Sequence, residues 1–513
     1  MNIIKTDSFK KRYSFKLITS FLIIPLNMLT ASIIPRMLGP SLFGDYKFLL
    51  YSFTQFTSLI GSGNNFLSVE LAKNHYDKIL ISFYWTFILT SGILASIFLI
   101  PILNSNLYTT LFPGQNIFYL WLAFFLTFFI FIAQVLESMT DSCGLTKNGS
   151  IVNLLARVIS VIFLLLFLFI FNWKNIFSVF SFSYISAFLL IVGFIGVLKI
   201  KNIPILYFKI SFYDLKQKFN SFYKYSSPLF FLSIVALPLS FLSRWILQTF
   251  GGSLQQGYFS LSDSLSSFVI TFSNSFIPLL LREFSISFND KDINHMSSLF
   301  NKSISFLFAI SSFFSVFLLL NASKATLLLG GKTFEGAILP MSIMLLYPIP
   351  YITNNIIYAF IYSTNRTVLL RNVMVISSIF GVLITFILVA PKKYFGLDLG
   401  AVGIAISMVF VTSLIYLVLL KYCVSALHLT WRKIIGNHIV VIILFLADGV
   451  ITVNLCDFCI QNSLISLILS GMIYSLGAIL IAKLFPKLLG ISTMEVYALI
   501  LPRLKKVRDS LIS

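Results

Sequence analysis

Charged residues are scarce in this chain. Asp, Glu, Lys and Arg make up 11% of its 513 residues, where a soluble domain carries about 25%. Hydrophobic residues make up 58% and mean hydropathy is +0.95. A soluble protein of this length cannot hide that much apolar surface, so the soluble classes are excluded. Cysteine and histidine are rare, four of each. Cys143 and Cys423 stand alone, and the histidines show no metal spacing. Cys456-Asp457-Phe458-Cys459 has CxxC spacing, but it has no second ligand pair for zinc and no thioredoxin-like context. A disulfide there stays open if that face is oxidising. The complete phosphate loop Gly-x-x-x-x-Gly-Lys-Ser/Thr is missing, which excludes ATP hydrolysis by that route. No nucleophile–base constellation stands out. The chain reads as a non-enzyme that needs no cofactor and no metal.

What the sequence has in abundance is long apolar runs, rich in its 56 Phe. A membrane-crossing helix needs ~20 apolar residues, and on that measure about fourteen such helices run from 14–37 to 463–485. Lys5, Lys10, Lys11, Arg12 and Lys16, followed by apolar Leu17 to Ile34, read as an uncleaved first span behind a basic tail. Lys and Arg gather in alternate loops and both tails, an excess of about four to one, which predicts cytoplasmic termini and an even number of spans. The net charge of +20 is then mostly topology. It suits anionic lipid headgroups better than nucleic acid, because no soluble domain stands behind it.

The longest loop, 200–224, interleaves Lys201, Lys209, Lys216, Lys218 and Lys224 with aromatic residues, and its centre reads as an interfacial amphipathic helix. It divides the chain after six spans. The expected organisation is an N-terminal lobe over 1–199, a cytoplasmic linker over 200–224 and a C-terminal lobe over 225–423. Two further spans and a basic tail follow over 424–513. Each lobe opens with an interrupted hairpin. The first is Arg36-Met37-Leu38-Gly39-Pro40-Ser41-Leu42-Phe43-Gly44-Asp45-Tyr46. The second, looser copy is Ser243-Arg244-Trp245-Ile246-Leu247, then Gly251-Gly252, then Gly257-Tyr258. Paired lobes of this kind predict an all-α integral membrane transporter. Its two six-helix lobes would form a V-shaped central cavity, with the substrate site between them.

These residues resemble a known family. The first hinge, Tyr225-Ser226-Ser227-Pro228-Leu229 opening span 7, Arg244 with Gly257-Tyr258, Pro278 to Arg282, and Gly400-Ala401-Val402-Gly403-Ile404-Ala405 carry the likeness. It is to polysaccharide flippases of the multidrug/oligosaccharidyl-lipid/polysaccharide exporter superfamily, the type that moves O-antigen or capsule repeat units. The resemblance spans almost the whole chain. It implies a bacterial inner membrane, a polyprenyl-diphosphate-linked oligosaccharide as substrate, a coupling ion (H+ or Na+), and association with polysaccharide assembly proteins. Family members often carry an acid just before the span-7 arginine, and here that position is Ser243. Ion coupling through such an acid is therefore in doubt.

Such a substrate sets the chemistry to look for. A diphosphate calls for arginine, whose planar fork stays charged and binds bidentately. Arg36, Arg244 and Arg157 are the candidates, each against the plain alternative of an ion pair or a snorkelling side chain. Arg157 could instead pair with Glu137. Asp263 falls level with Arg244 on the neighbouring span and could pair with it. That pair would be either a stabilising bridge or a switch opened by a diphosphate. Asn64 with Asn65, and Asn354 with Asn355, lie within or at the end of spans and either meet sugar hydroxyls or join helices. Pro348 and Pro350 predict a kink in span 10.

The expectation is thus a flippase carrying the lipid-linked oligosaccharide from the cytoplasmic to the outer leaflet by alternating access. A multidrug or cation antiporter of the same fold is the alternative, although a cavity for cations should be acidic. A membrane-embedded glycosyltransferase or polymerase is a third reading. It would need a large outer loop with catalytic residues, and no such loop stands out.

Overall fold

Backbone amides and carbonyls in lipid have no water to bond, so a spanning segment must satisfy them within itself. The apolar runs accordingly form helices. A computed structural model describes residues 9–61, 64–73, 77–205, 211–274, 276–364, 366–460 and 462–490, and among them there is no strand. The described residues divide into two compact units. One holds those up to Gly257 together with Val389–Gly396, and the other holds the rest.

The first unit begins with α1 (Phe9–Gly61), α2 (Asn64–Lys73), α3 (Lys78–Leu103), α4 (Leu107–Leu111) and α5 (Ile117–Ser142). It continues with α6 (Thr146–Phe169), α7 (Ile176–Ile200) and most of α8 (Phe212–Asn274). Helices α1, α5, α6 and α7 pack against one another. Side-chain caps fix several starts. Asp77 accepts from the amide of Leu80, Asn116 from that of Phe118, and Asn175 from that of Ser178, which satisfies an otherwise orphaned N–H. Asp77 also pairs with Lys218 at 2.7 Å, and Lys16 on α1 pairs with Asp141 on α5 at 2.7 Å. Lys218 lies in the stretch read as the cytoplasmic linker. Within it the residues from Phe212 onward form the first turns of α8, and Phe222 joins the core with Phe66, Phe83 and Leu136.

The second unit holds the end of α8, then α9 (Ile277–Asn289), α10 (Ile293–Leu320), α11 (Ala322–Gly330), α12 (Ile338–Met344) and α13 (Pro348–Ser363). It closes with α14 (Thr367–Val389), α15 (Gly400–Ala426), α16 (Trp431–Cys459) and α17 (Ser463–Leu484). Helix α10 packs on α13 and α16 around a core that includes Phe300, Ile304, Ile356 and Phe360. Helices α12 and α13 are bent by 41° at the break before Pro348. That is the kink expected of Pro348 and Pro350. A proline removes a backbone donor and its ring clashes with the turn before it.

Among the described residues, eleven helices are long and apolar enough to cross a membrane, and the bent α12–α13 pair counts as a twelfth if taken as one span. The chain is a multi-span membrane protein. The expectation of fourteen differs from this count at two places. The apolar stretches Ile18–Gly61 and Ser233–Thr271 are 44 and 39 residues long, each about twice the ~20 residues that a single pass requires. Each is broken by a glycine, Gly39 in α1 and Gly252 in α8. Length and composition alone do not separate the two halves of either helix.

Candidate functional site

The two broken helices meet at their breaks. Gly39 has φ 72° and ψ 172°, and Gly252 has φ 68° and ψ −176°. Both are left-handed conformations that glycine adopts without the steric cost a Cβ brings. Five residues after each comes a second glycine, Gly44 and Gly257. A Cβ on Gly44 would fall on the carbonyl oxygen of Ser253 and stand 2.7 Å from the amide nitrogen of Gly257. A Cβ on Gly257 would fall on the carbonyl oxygen of Pro40 and stand 2.7 Å from its carbon. Ser253 follows Gly252 as Pro40 follows Gly39. The contact is therefore reciprocal: each helix uses the residue after its break and the glycine four further on.

Polar side chains secure this crossing. Asp45, next to Gly44, accepts from Gln115 Nε2 at 2.5 Å and from the Ser253 hydroxyl. Gln248 Nε2 donates to Ser253 Oγ at 3.1 Å and to the carbonyl of Pro113 at 3.4 Å. Trp245 Nε1 donates to the carbonyl of Thr110 at 2.8 Å. The two breaks and the segment between α3 and α5 are thus tied together through one carboxylate.

The arginines occupy three different settings. Arg244 is buried, 7% exposed, and its guanidinium lies 4.7 Å from the centre of the Tyr51 ring, a stacking favourable by ~0.5–2 kcal/mol. Arg36 is exposed on α1. The two are not equivalent. Arg36 stands three residues before Gly39 and Arg244 eight before Gly252, so the glycine register sets Arg36 against Thr249 and Arg244 against Ala31. Arg157 is half-buried and donates from Nη2 to Thr30 Oγ1 at 2.6 Å, while its Nε has no acceptor. It does not pair with Glu137, whose carboxylate accepts from Asn153 at 2.7 Å. Arg157, Glu137, Gln134, Ser183 and Ser186 line one cavity of about 360 Å³ inside the first unit. Tyr46 meets Ser183 beside it at 2.8 Å.

The remaining candidates are scattered. Asn64 accepts from the hydroxyl of Tyr84, and the side chain of Asn65 lies outside the described ones. Asn354 is 1% exposed and donates to the carbonyl of Thr412 at 3.0 Å, joining α13 to α15. Asn355 and Asp263 are half-buried in the second unit. Cys456 and Cys459 are free thiols on the last turn of α16, Cys456 buried and Cys459 exposed. Among the described residues no group of His, Cys, Asp or Glu is placed to hold a metal ion.

Residues 11–282, more than half of the chain, match the model of a family described as polysaccharide biosynthesis protein. The chain belongs to the polysaccharide biosynthesis protein family. The matched stretch takes in both glycine breaks, Asp45, Arg157 and Arg244. No curated protein sequence matches this family member.

Solved structures agree on the fold. The lipid II flippase MurJ, in an inward closed conformation, is 15% identical with a TM-score of 0.64, over 91% of this chain and 98% of that one. An inward-facing multidrug resistance MATE family transporter of the MOP superfamily is 13% identical with a TM-score of 0.62, over 83% and 97%. A MOP superfamily transporter from Pyrococcus furiosus, 13% identical, has a TM-score of 0.52 over 82% and 95%. The polysaccharide biosynthesis protein therefore has the fold of a flippase and of transporters rather than of enzymes.

The sequence carried a signal for the hinge contact that was easy to overlook, the twice-repeated spacing of Gly39 with Gly44 and Gly252 with Gly257. Gln115, Gln248 and Ser253 gave none, because nothing local in the sequence joins them to Asp45.

Proposed function

We propose that this protein is a flippase for a polyprenyl-diphosphate-linked oligosaccharide, an O-antigen or capsule repeat unit. It carries the unit from the cytoplasmic to the outer leaflet of the bacterial inner membrane by alternating access. The observation that supports this most directly is Arg244, a guanidinium buried within a membrane-spanning helix of a polysaccharide-biosynthesis protein. A charge at that depth is costly unless it serves a pathway or a partner, and a diphosphate is the anion such a substrate brings. Arg36, Arg157, Asp263 and Asn355 are the further groups proposed to meet the substrate. The glycine breaks, counted as turns between passes, bring the topology to fourteen spans with both termini cytoplasmic. A proton or sodium gradient and neighbouring assembly proteins complete the proposal.

A multidrug or cation antiporter has equal support from the fold, given the MATE likeness. The buried arginine argues against it, since an organic cation would be repelled. Deleting the gene decides between the two. A flippase strain loses surface polysaccharide and accumulates lipid-linked repeat units within the cell, and a plasmid copy restores both. Unchanged polysaccharide with a gain in sensitivity to cationic drugs would establish the antiporter instead.

A further inference from the structure

One cavity of the first unit is apolar. It has a volume of about 660 Å³ and lies between α1, α3, α4, α5 and α8, within the ~300–1,000 Å³ of sites that hold small ligands. Phe53 and Phe56 of α1, Leu94 and Ala95 of α3, and Phe230 and Phe241 of α8 form much of its wall. Its two hydroxyls, Ser52 and Ser91, each donate to a carbonyl of their own helix at 2.8 Å. The lining side chains thus keep no donor for a guest, and a polar molecule entering would lose its hydrogen bonds with water.

The cleft adjoins the buried arginine. Phe241 and Arg244 are three residues apart on α8 and share a face, and Tyr51, on which Arg244 stacks, precedes Ser52 of the wall. An anionic head held at Arg244 therefore has an apolar channel beside it. We propose that this cleft holds the first isoprene units of a polyprenyl-diphosphate lipid, with the diphosphate at Arg244. The inference rests on the substrate proposed above. The charge chooses the occupant: a diphosphate carries more negative charge for the guanidinium than the single phosphate of a bulk phospholipid. The remainder of the chain lies in the bilayer, since a cavity of this size takes only part of it.

A polyprenyl diphosphate with a diazirine near its head, bound to the purified protein and photolysed, tests the placement. The label is expected on peptides around Phe53 and Phe56, Leu94 and Ala95, or Phe230. Ala95→Trp, which fills the cleft, and Leu94→Trp, at an exposed position of its wall, are expected to weaken binding of the same lipid. About tenfold is the loss that roughly two CH₂ groups left unburied would give. Binding of inorganic diphosphate should not change, which shows that the variants are folded. Labelling confined to other helices, or unchanged lipid affinity in both variants, overturns the inference and leaves the function standing. Equal displacement by phosphatidylglycerol would mark an ordinary acyl-chain groove and overturn it too. If the wild type binds no polyprenyl diphosphate at all, the flippase reading falls and the cleft assignment with it.

Discussion

Gly44 lies against the backbone carbonyl of Ser253 so closely that a Cβ has no room, and Gly257 stands in the same relation to Pro40. Two broken helices thereby meet main chain to main chain at their breaks, and the hydrogen bond from Ser253 to Asp45 joins them there as well. Small residues at helix crossings let backbones approach in membranes, where packing rather than hydrophobic burial drives association.

Gly44→Ala and Gly257→Ala should each destabilise the protein by ~1–3 kcal/mol or more, because the obstructing atoms are backbone and cannot swing aside. Thermal unfolding in detergent, with the folded yield, checks this. Gly196→Ala on α7 is the control, because its Cβ would meet nothing within 4 Å. Replacing a helical glycine there should be neutral or favourable by up to ~1 kcal/mol. If Gly44→Ala unfolds no earlier than Gly196→Ala, the crossing is looser than described.

Asp45 accepts from Gln115 on one side and Ser253 on the other. Asp45→Ala strands both donors and should cost ~1–3 kcal/mol. Asp45→Asn keeps one acceptor oxygen and should cost less. The loss from Asp45→Ala combined with Ser253→Ala should fall short of the two single losses added, since the pair shares one bond. Strict additivity in that double-mutant cycle would show that the bond contributes nothing.

The helical membrane class was legible because it depends on composition and run length, which any window of sequence displays. The breaks at Gly39 and Gly252 were legible too, as Gly interruptions of apolar runs. Their mutual contact was not, for it depends on two segments far apart in sequence meeting in a particular register. The same register separates Arg36 from Arg244, although each precedes the break of its own hairpin. Arg157 with Glu137 is a similar case. Spacing suggests the pair, but Thr30 and Asn153 are better placed to take their hydrogen bonds. The apolar cleft draws its wall from five helices, mostly through ordinary Phe and Leu, and no local pattern marks it.

Arg244→Ala should abolish surface polysaccharide while the protein still inserts. Arg244→Lys should restore it only in part, since an ammonium keeps the charge and loses the bidentate fork. Tyr51→Phe retains the ring beneath the guanidinium and should transport normally, whereas Tyr51→Leu gives up ~0.5–2 kcal/mol of stacking. Surface polysaccharide and membrane protein level are measured together. Full polysaccharide in a well-expressed Arg244→Ala strain would make this arginine structural.

Topology is tested with a residue the protein already has. Cys459 is a free, exposed thiol at the end of α16, whereas Cys143, Cys423 and Cys456 are buried. With both termini cytoplasmic and fourteen passes, the turn between α16 and α17 faces outward. An impermeant maleimide added to intact cells should therefore label Cys459 in the wild type. Lys216 is exposed near the start of α8, on the side that the excess of Lys and Arg assigns to the cytoplasm. In a Cys459→Ser background, Lys216→Cys should react only after the cells are permeabilised. A missing pass on either side of Gly39 or Gly252 would reverse the relation between the tail and one of these sites. Labelling of Lys216→Cys in intact cells would then exclude the fourteen-pass arrangement, and with it the direction of transport proposed here.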